Sequence, residues 1–223
     1  MWCIGQITGE YLARLEDCLH LYSLPHDHLR PVLCYDEMPV QLLGETVAPL
    51  ALDAGKPLRV DYQYKRLGTA NILLLIEPLT GKRIVEISDR RTKSDYCRFK
   101  QRVAAEFPEA THIVSVEDNL NTHNTSSFYE NLPAKEAFCL AQKFEYHHTP
   151  KKGSWLNMAE LELSAIARIC LSRRISSIDD LRREVEAIVK EREKSGIKIE
   201  WQFSIPQARA KLNRHYENVV QKT

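Results

Sequence analysis

A chain of 223 residues, 43% of them apolar and 27% charged, carries enough apolar surface to close a core in one domain with room for short appendages. Its formal net charge of +1 lacks the basic excess common in dedicated nucleic-acid binders, so any contact with DNA has to be local. The longest apolar run, Ile72 to Ile76, is far short of the roughly 20 residues that span a bilayer, and the first residues show no basic-then-apolar leader. The six cysteines, Cys3, Cys18, Cys34, Cys97, Cys139 and Cys170, form no Cys-x-x-Cys pair and read as reduced, mostly buried thiols of a cytoplasmic protein without membrane contact.

In chain order, Tyr11, Leu12, Leu15, Leu19 and Tyr22 recur at helical spacing behind Thr8, an N-cap residue, which predicts a helix from Thr8 to Tyr22. Pro25 and Pro31 bound a linker. Val32 to Asp36 reads as a short apolar strand ending on the aspartate, and Val60, Tyr62 and Tyr64 alternate with polar residues as a half-buried strand does. Asn71 to Pro78 and Arg83 to Asp89 flank Thr80-Gly81 as an antiparallel hairpin. The period then changes: Tyr96, Phe99, Val103 and Phe107 mark a helix capped by Thr92 and followed by Pro108. A strand from His112 to Asp118, helical stretches after Asn124 and Pro133, a strand from Phe144 to His148 and a long helix from Ser154 to Ser172 come next.

Beyond them, Ser176 or Ser177 caps a helix bearing Leu181, Val185, Ile188 and Val189, which Ser195-Gly196 stops. Ile197, Ile199, Trp201 and Phe203 alternate with Lys198, Glu200 and Gln202 as a strand, and Pro206 opens a final basic helix through Arg209, Lys211 and Arg214. Antiparallel strands followed by alternating helix and strand are the element order of the ribonuclease-H-like fold. The predicted architecture is α/β, a mixed five-stranded sheet with helices on both faces and a C-terminal helix-strand-helix extension.

Three acidic residues stand out by position. Asp36 and Asp118 end apolar strands, and Glu160 falls in the first turns of the helix opened by Ser154-Trp155-Leu156-Asn157. Carboxylates at strand ends of an open α/β sheet border the crevice where ligands collect. A divalent cation relieves the desolvation such groups suffer, and two Mg²⁺ or Mn²⁺ ions held by hard oxygen ligands can drive phosphodiester cleavage. Each acid alone is more simply a surface group or a helix cap; the three together on separate elements form the signal. Glu37 and Glu117 adjoin the two aspartates but alternate to the other face, and Glu162 lies about 200° around the helix from Glu160.

The motifs at these positions carry a resemblance. Asp36-Glu37 after an apolar strand, Asp118-Asn119-Leu120-Asn121-Thr122-His123 and Gly153-Ser154-Trp155-Leu156-Asn157-Met158-Ala159-Glu160, supported by Gly68-Thr69-Ala70-Asn71, Asp89-Arg90-Arg91-Thr92 and Trp201-Gln202-Phe203, cover nearly the whole chain in order. Together they resemble a bacterial insertion-sequence transposase of the mariner-like branch of the DDE superfamily. The resemblance implies an RNase-H-like catalytic domain at 25–175, a linker helix at 1–24 and a packed extension at 176–223. It also implies two-metal DNA cleavage and strand transfer by Asp36, Asp118 and Glu160, working on transposon inverted-repeat ends and target DNA, with a homodimer as one assembly and the bacterial nucleoid as the place of action. Members of that family carry an N-terminal helix-turn-helix region that reads the inverted repeats. This sequence starts at Met1-Trp2-Cys3, in what resembles the linker after it, so the expectation is a chain that does not select transposon ends by itself. Tyr35 and Glu117 depart from the apolar residues expected there.

Asn119, His123 and Asn157 are candidates for orienting the carboxylates, against a plainer role in capping and loop hydrogen bonds. Lys151, Lys152 and Trp155, with Arg173 and Arg174, are candidates for DNA contact, although Trp155 reads more simply as a core anchor and paired basic residues as solvated surface. Two other functions share the pattern: a catalytically silent DNA-binding remnant of a transposase, and an RNase-H-type nuclease. The intact triad argues against the first and the whole-chain motif match against the second.

Overall fold

The computed structural model describes residues 7–47, 61–118 and 124–220. Five strands, β1 (Val32–Glu45), β2 (Tyr64–Glu77), β3 (Lys82–Ser88), β4 (Ile113–Glu117) and β5 (Phe144–His148), form one sheet in the order β3-β2-β1-β4-β5. The first three are antiparallel neighbours, whereas β4 runs parallel to β1 and β5 parallel to β4. This is the ribonuclease-H-like sheet that the element order predicts.

Alternation along the strands divides the core between two faces. Leu33 and Tyr35 of β1, Leu73 and Leu75 of β2, Ile113 and Phe144 pack against α2 (Lys93–Glu106), α3 (Ser126–Tyr129) and α4 (Ala134–Lys143). On the other face, Val40, Leu42, Ile72, Leu74, Val85 and Ile87 meet α5 (Met158–Cys170) and α6 (Ile178–Lys194), while Cys34, Ile76, Val114 and Val116 meet Cys18 and Leu21 of α1 (Gly9–Ser23) and the start of α5. The helix starts follow their capping residues: Thr8 accepts from the Tyr11 N–H, Thr92 and Asp95 form a reciprocal capping box, and Ser177 accepts from the Asp180 N–H.

Five expectations change. β1 extends to Glu45 rather than ending at Asp36. Tyr62, 84% exposed, stands outside the strands, and Tyr64, the first residue of β2, is also exposed, so these tyrosines are not the half-buried pattern they imitate; Val60 lies outside the described residues. The helix expected from Ser154 is a 3-10 turn at Ser154–Leu156 followed by α5, because Asn157 caps afresh. The residues from Ile197 to Phe203 form no strand. Among the described residues only the Ile199 N–H reaches a carbonyl of the sheet hairpin, that of Pro78, at 3.1 Å, and the aromatic rings turn instead to side-chain packing, Trp201 against Tyr22 and Trp155. The last basic helix is likewise two, α7 (Ile205–Lys211) and α8 (Asn213–Val220), broken at Leu212.

The C-terminal segment is nevertheless buried against the rest. Leu181, Val185 and Val189 of α6 share a cluster with β1, β2 and β3, and Ala208 of α7 with α1. Limited trypsin digestion is therefore expected to leave α6 attached while the sheet is intact; early products ending before Leu181 would contradict this packing.

Candidate active site

Asp36 lies inside β1, at the level where the parallel neighbour β4 stops. β1 continues because β2 accompanies it as far as Glu45, opposite Tyr64. Pro39 interrupts the strand pattern in the sequence, yet among the described residues no strand pairs with the β4 side of β1 beyond Cys34, which makes proline tolerable there.

The parallel register of β1 and β4 runs up to two residues before each aspartate. Cys34 and Val116 are parallel partners, and both point to the face occupied by α1 and α5. Asp36 and Asp118 follow them by two residues each; the same register and alternation carried one residue past the end of β4 would set them on one face, at about the 4.8 Å spacing of neighbouring strands. Both are partly buried, and Oδ1 of Asp36 accepts the Glu37 N–H at 2.8 Å.

Glu160 is positioned from β1 as well. Asn157, buried, donates its side-chain N–H to the Tyr35 carbonyl at 2.7 Å, and its Oδ1 accepts the Ala159 N–H at 3.1 Å. One side chain thereby fixes the start of α5, and Glu160 in its first turn, to the residue preceding Asp36. Glu162 faces away as helical geometry requires: it is buried between Arg83 of β3 (2.8 Å) and Arg192 of α6 (2.6 Å). Among the described residues no three Asp, Glu, His or Cys groups stand close enough to hold a metal ion, so Asp36, Asp118 and Glu160 are not a closed three-ligand set in this conformation.

The residues preceding the two aspartates, which depart from the expected apolar types, meet on the reverse face. Glu117 is fully buried and accepts from Ser115 Oγ (2.7 Å), Lys100 Nζ (2.9 Å) and Tyr96 Oη (2.9 Å). Lys100, equally buried, sits among the rings of Tyr35, Tyr96, Phe144 and Tyr146 at 5.0, 5.3, 4.8 and 5.4 Å. Burial pushes the Lys100 ammonium down from its ordinary range and Glu117 opposes that shift; the surrounding ring faces also favour the cation. Burial, reinforced by Glu117, pushes the Tyr96 phenol well up, so it remains a donor. The extra charge of Glu117 is thus neutralised behind the sheet instead of facing the aspartates. Sequence reading overlooked Lys100, although it falls on the apolar stripe of Tyr96 and Val103, where a lysine needs a buried partner.

An open cleft of about 570 Å³ lies beside Asp118, between Thr8, Tyr11 and Arg14 of the α1 end and Thr149, Lys151 and Lys152. The two lysines are exposed on a tight turn closed by the Gly153 N–H on the Pro150 carbonyl at 2.8 Å. Lys152 has φ 64°, the left-handed region that L side chains rarely adopt, and a Cβ on Gly153 would come within 2.5 Å of the Pro150 ring. Trp155 is packed against Trp201 and Phe203. Arg173 pairs with Glu184, and Arg174 with Glu45 at the far end of β1; neither lines the cleft. Asn119 and His123 lie outside the described residues.

A family model described as DDE superfamily endonuclease matches residues 31–182. No curated protein sequence matches the chain significantly. Among solved structures the chain resembles the Mos1 transposase paired-end complex with left transposon end at 14% identity and TM-score 0.57, covering 99% of this chain and 65% of that one. For the Mos1 strand transfer complex the values are 12%, 0.56, 99% and 66%, and for a pre-cleavage Mos1 transpososome 15%, 0.54, 100% and 66%. The likeness is one of fold, and the chain spans 65–66% of the length of these structures.

Proposed function

This chain belongs to the DDE superfamily of endonucleases, and on that premise we propose that it is the catalytic part of a DNA transposase that cuts phosphodiesters at transposon ends and joins them to target DNA. The observation that carries the reading is the parallel pairing of Cys34 with Val116, two residues before Asp36 and Asp118, beside a helix start that Asn157 ties to β1. In this reading the catalytic unit is 25–175, with 1–24 as a linker helix and 176–223 as an extension packed on it, and two copies assemble with DNA at the bacterial nucleoid. Among the described residues no helix is long and apolar enough to cross a membrane.

The donor set fits Mg²⁺ or Mn²⁺, since three carboxylates offer hard oxygens and no thiolate. Two such ions, when bound, activate a water or 3′-hydroxyl and stabilise the leaving oxygen. Asp36 and Asp118 would hold them from adjacent strands and Glu160 from α5. Asn157 keeps the glutamate's helix at a fixed distance from β1. The turn from Pro150 to Gly153 presents Lys151 and Lys152 to the phosphates of a strand lying in the cleft beside Asp118, a contact that positions DNA without reading its sequence.

The test offers the protein a pre-cut transposon end and a supercoiled target in Mn²⁺, and separately an RNA–DNA hybrid. Joined end-target products are expected; cleavage of the hybrid's RNA strand with no reaction on DNA would overturn the reading in favour of a hybrid nuclease. In the Lys151→Gln/Lys152→Gln variant, DNA binding is expected to weaken alike for every sequence, with the slope of log affinity against log salt reduced by about 2, near one per lost phosphate contact. An unchanged slope would remove the turn from the DNA path.

A further inference from the structure

We propose that the buried Lys100–Glu117 pair is a positioning element that holds all three carboxylate-bearing segments in one frame from behind the sheet. The inference rests on the catalytic reading of Asp36, Asp118 and Glu160. Glu117 immediately precedes Asp118, and its side chain is held by three donors while its carbonyl accepts the Thr149 N–H at 3.0 Å. The backbone that launches Asp118 is therefore fixed from both sides of the last residue of β4. Tyr35 immediately precedes Asp36, and its ring lies against the same Lys100 ammonium at 5.0 Å. The Tyr35 carbonyl in turn receives Asn157, the cap of the helix that bears Glu160. One fully buried ammonium thus touches the residue behind each aspartate, and through Tyr35 it reaches the glutamate's helix.

An apolar pair of similar shape would fill this space at less desolvation cost, because replacing a buried ion pair with neutral groups is often neutral or stabilising. Stability alone therefore gives no reason for a charged pair at this point. Directional bonds do: the carboxylate of Glu117 accepts along fixed lines from Ser115, Lys100 and Tyr96, and Lys100 also donates to Ser115 Oγ at 2.8 Å. Packing by itself would leave the rotation of the β4 end free to drift. Groups that orient metal-binding side chains typically change metal affinity or rate by about 10–100-fold when removed.

The experiment compares the double variant Lys100→Met/Glu117→Gln with each single change, with Tyr96→Phe and with Asp118→Asn. Thermal unfolding is read without metal, Mn²⁺ affinity by calorimetry, and cleavage of labelled DNA in single turnover. Each single change strands a buried charge, and Tm is expected to fall by roughly 6–20 °C. The double variant removes both charges and is expected to recover Tm to within a few degrees of the parent, while Mn²⁺ affinity and cleavage rate fall by about 10–100-fold. Tyr96→Phe, which removes one of the three donors, is expected to keep its fold and shift affinity and rate in the same direction by less. It decides the matter by itself if the double variant fails to fold.

Parent-like Mn²⁺ affinity and rate in a folded double variant, or in Tyr96→Phe when the double variant does not fold, would overturn the proposal and leave the pair a plain structural feature. The Asp118→Asn control separates that failure from failure of the catalytic reading. If Asp118→Asn loses Mn²⁺ while the neutral double variant keeps it, only the positioning role falls; if Asp118→Asn binds Mn²⁺ as the parent does, the catalytic reading itself falls and the positioning role with it.

Discussion

Replacing Asp118 with alanine is expected to lower Mn²⁺-dependent DNA cleavage by on the order of 10³-fold or more while moving Tm by only a few degrees. A metal that stabilises charge in the transition state contributes several kcal/mol, and at about 1.4 kcal/mol per decade that is roughly three powers of ten in rate. Asp36→Ala and Glu160→Gln are expected to behave alike, because the three act as a unit and their losses do not add. The small stability effect follows from where the side chains lie. All three are partly exposed at the margin of the core, and the buried clusters on both faces are built from other residues. Single-turnover gels beside thermal unfolding provide the check. Cleavage that survives all three substitutions would remove the triad from the chemistry, and a collapse of Tm would make any loss of cleavage uninterpretable as catalysis.

Glu162, two residues further along the same helix, is expected to show the opposite pattern. It is the acceptor for Arg83, fully buried, and for Arg192, so it ties β3, α5 and α6 together. Removing one partner of a buried pair leaves an uncompensated charge and costs about 3–5 kcal/mol. For a chain of this size, Glu162→Ala is then expected to lower Tm by roughly 6–20 °C. Cleavage per folded molecule at a temperature well below the new Tm is expected to stay near the parent value; a loss comparable with that of Glu160→Gln would show that the wrong glutamate had been assigned to the site.

The same residue sets an acid dependence. Burial works to raise the Glu162 carboxyl, but hydrogen bonds from Arg83 and Arg192 outweigh it and hold the group below the usual carboxylate range. A depressed carboxyl binds fewer protons folded than unfolded, so its contribution is complete above the unfolded value near about 4.3 and is lost as pH falls through the folded value. Urea midpoints measured from neutral pH downward are expected to decline more gently in Glu162→Gln than in the parent over that acid window. Parallel declines would mean that the two arginines do not stabilise the charged form.

Much of this protein is legible in its sequence. Helix caps and helical periodicity are local, since a capping hydroxyl bonds within its own turn and an apolar stripe depends only on spacing; α1, α2 and α6 accordingly stand close to where Thr8, Thr92 and Ser177 put them. The candidate acids were visible for the same reason, as polar residues breaking apolar strands. Strand extent was not legible, because a strand is completed by partners distant in sequence. β1 outruns its apolar stretch and its proline because β2 lies alongside, and Ile197 to Phe203 alternates like a strand yet finds no ladder to join. Which face a charged residue occupies, and what meets it there, is likewise a property of the assembled layers. The sequence alone determined the fold class, the order of the five sheet strands and of the helices among them, and the acids worth testing. Only the tertiary structure decided that β1 and β4 pair in parallel just before Asp36 and Asp118, that Asn157 ties the Glu160 helix to Tyr35 of β1, and that Lys100 and Glu117 meet behind the sheet, since each of these needs backbone pairing or burial between segments that no local pattern connects.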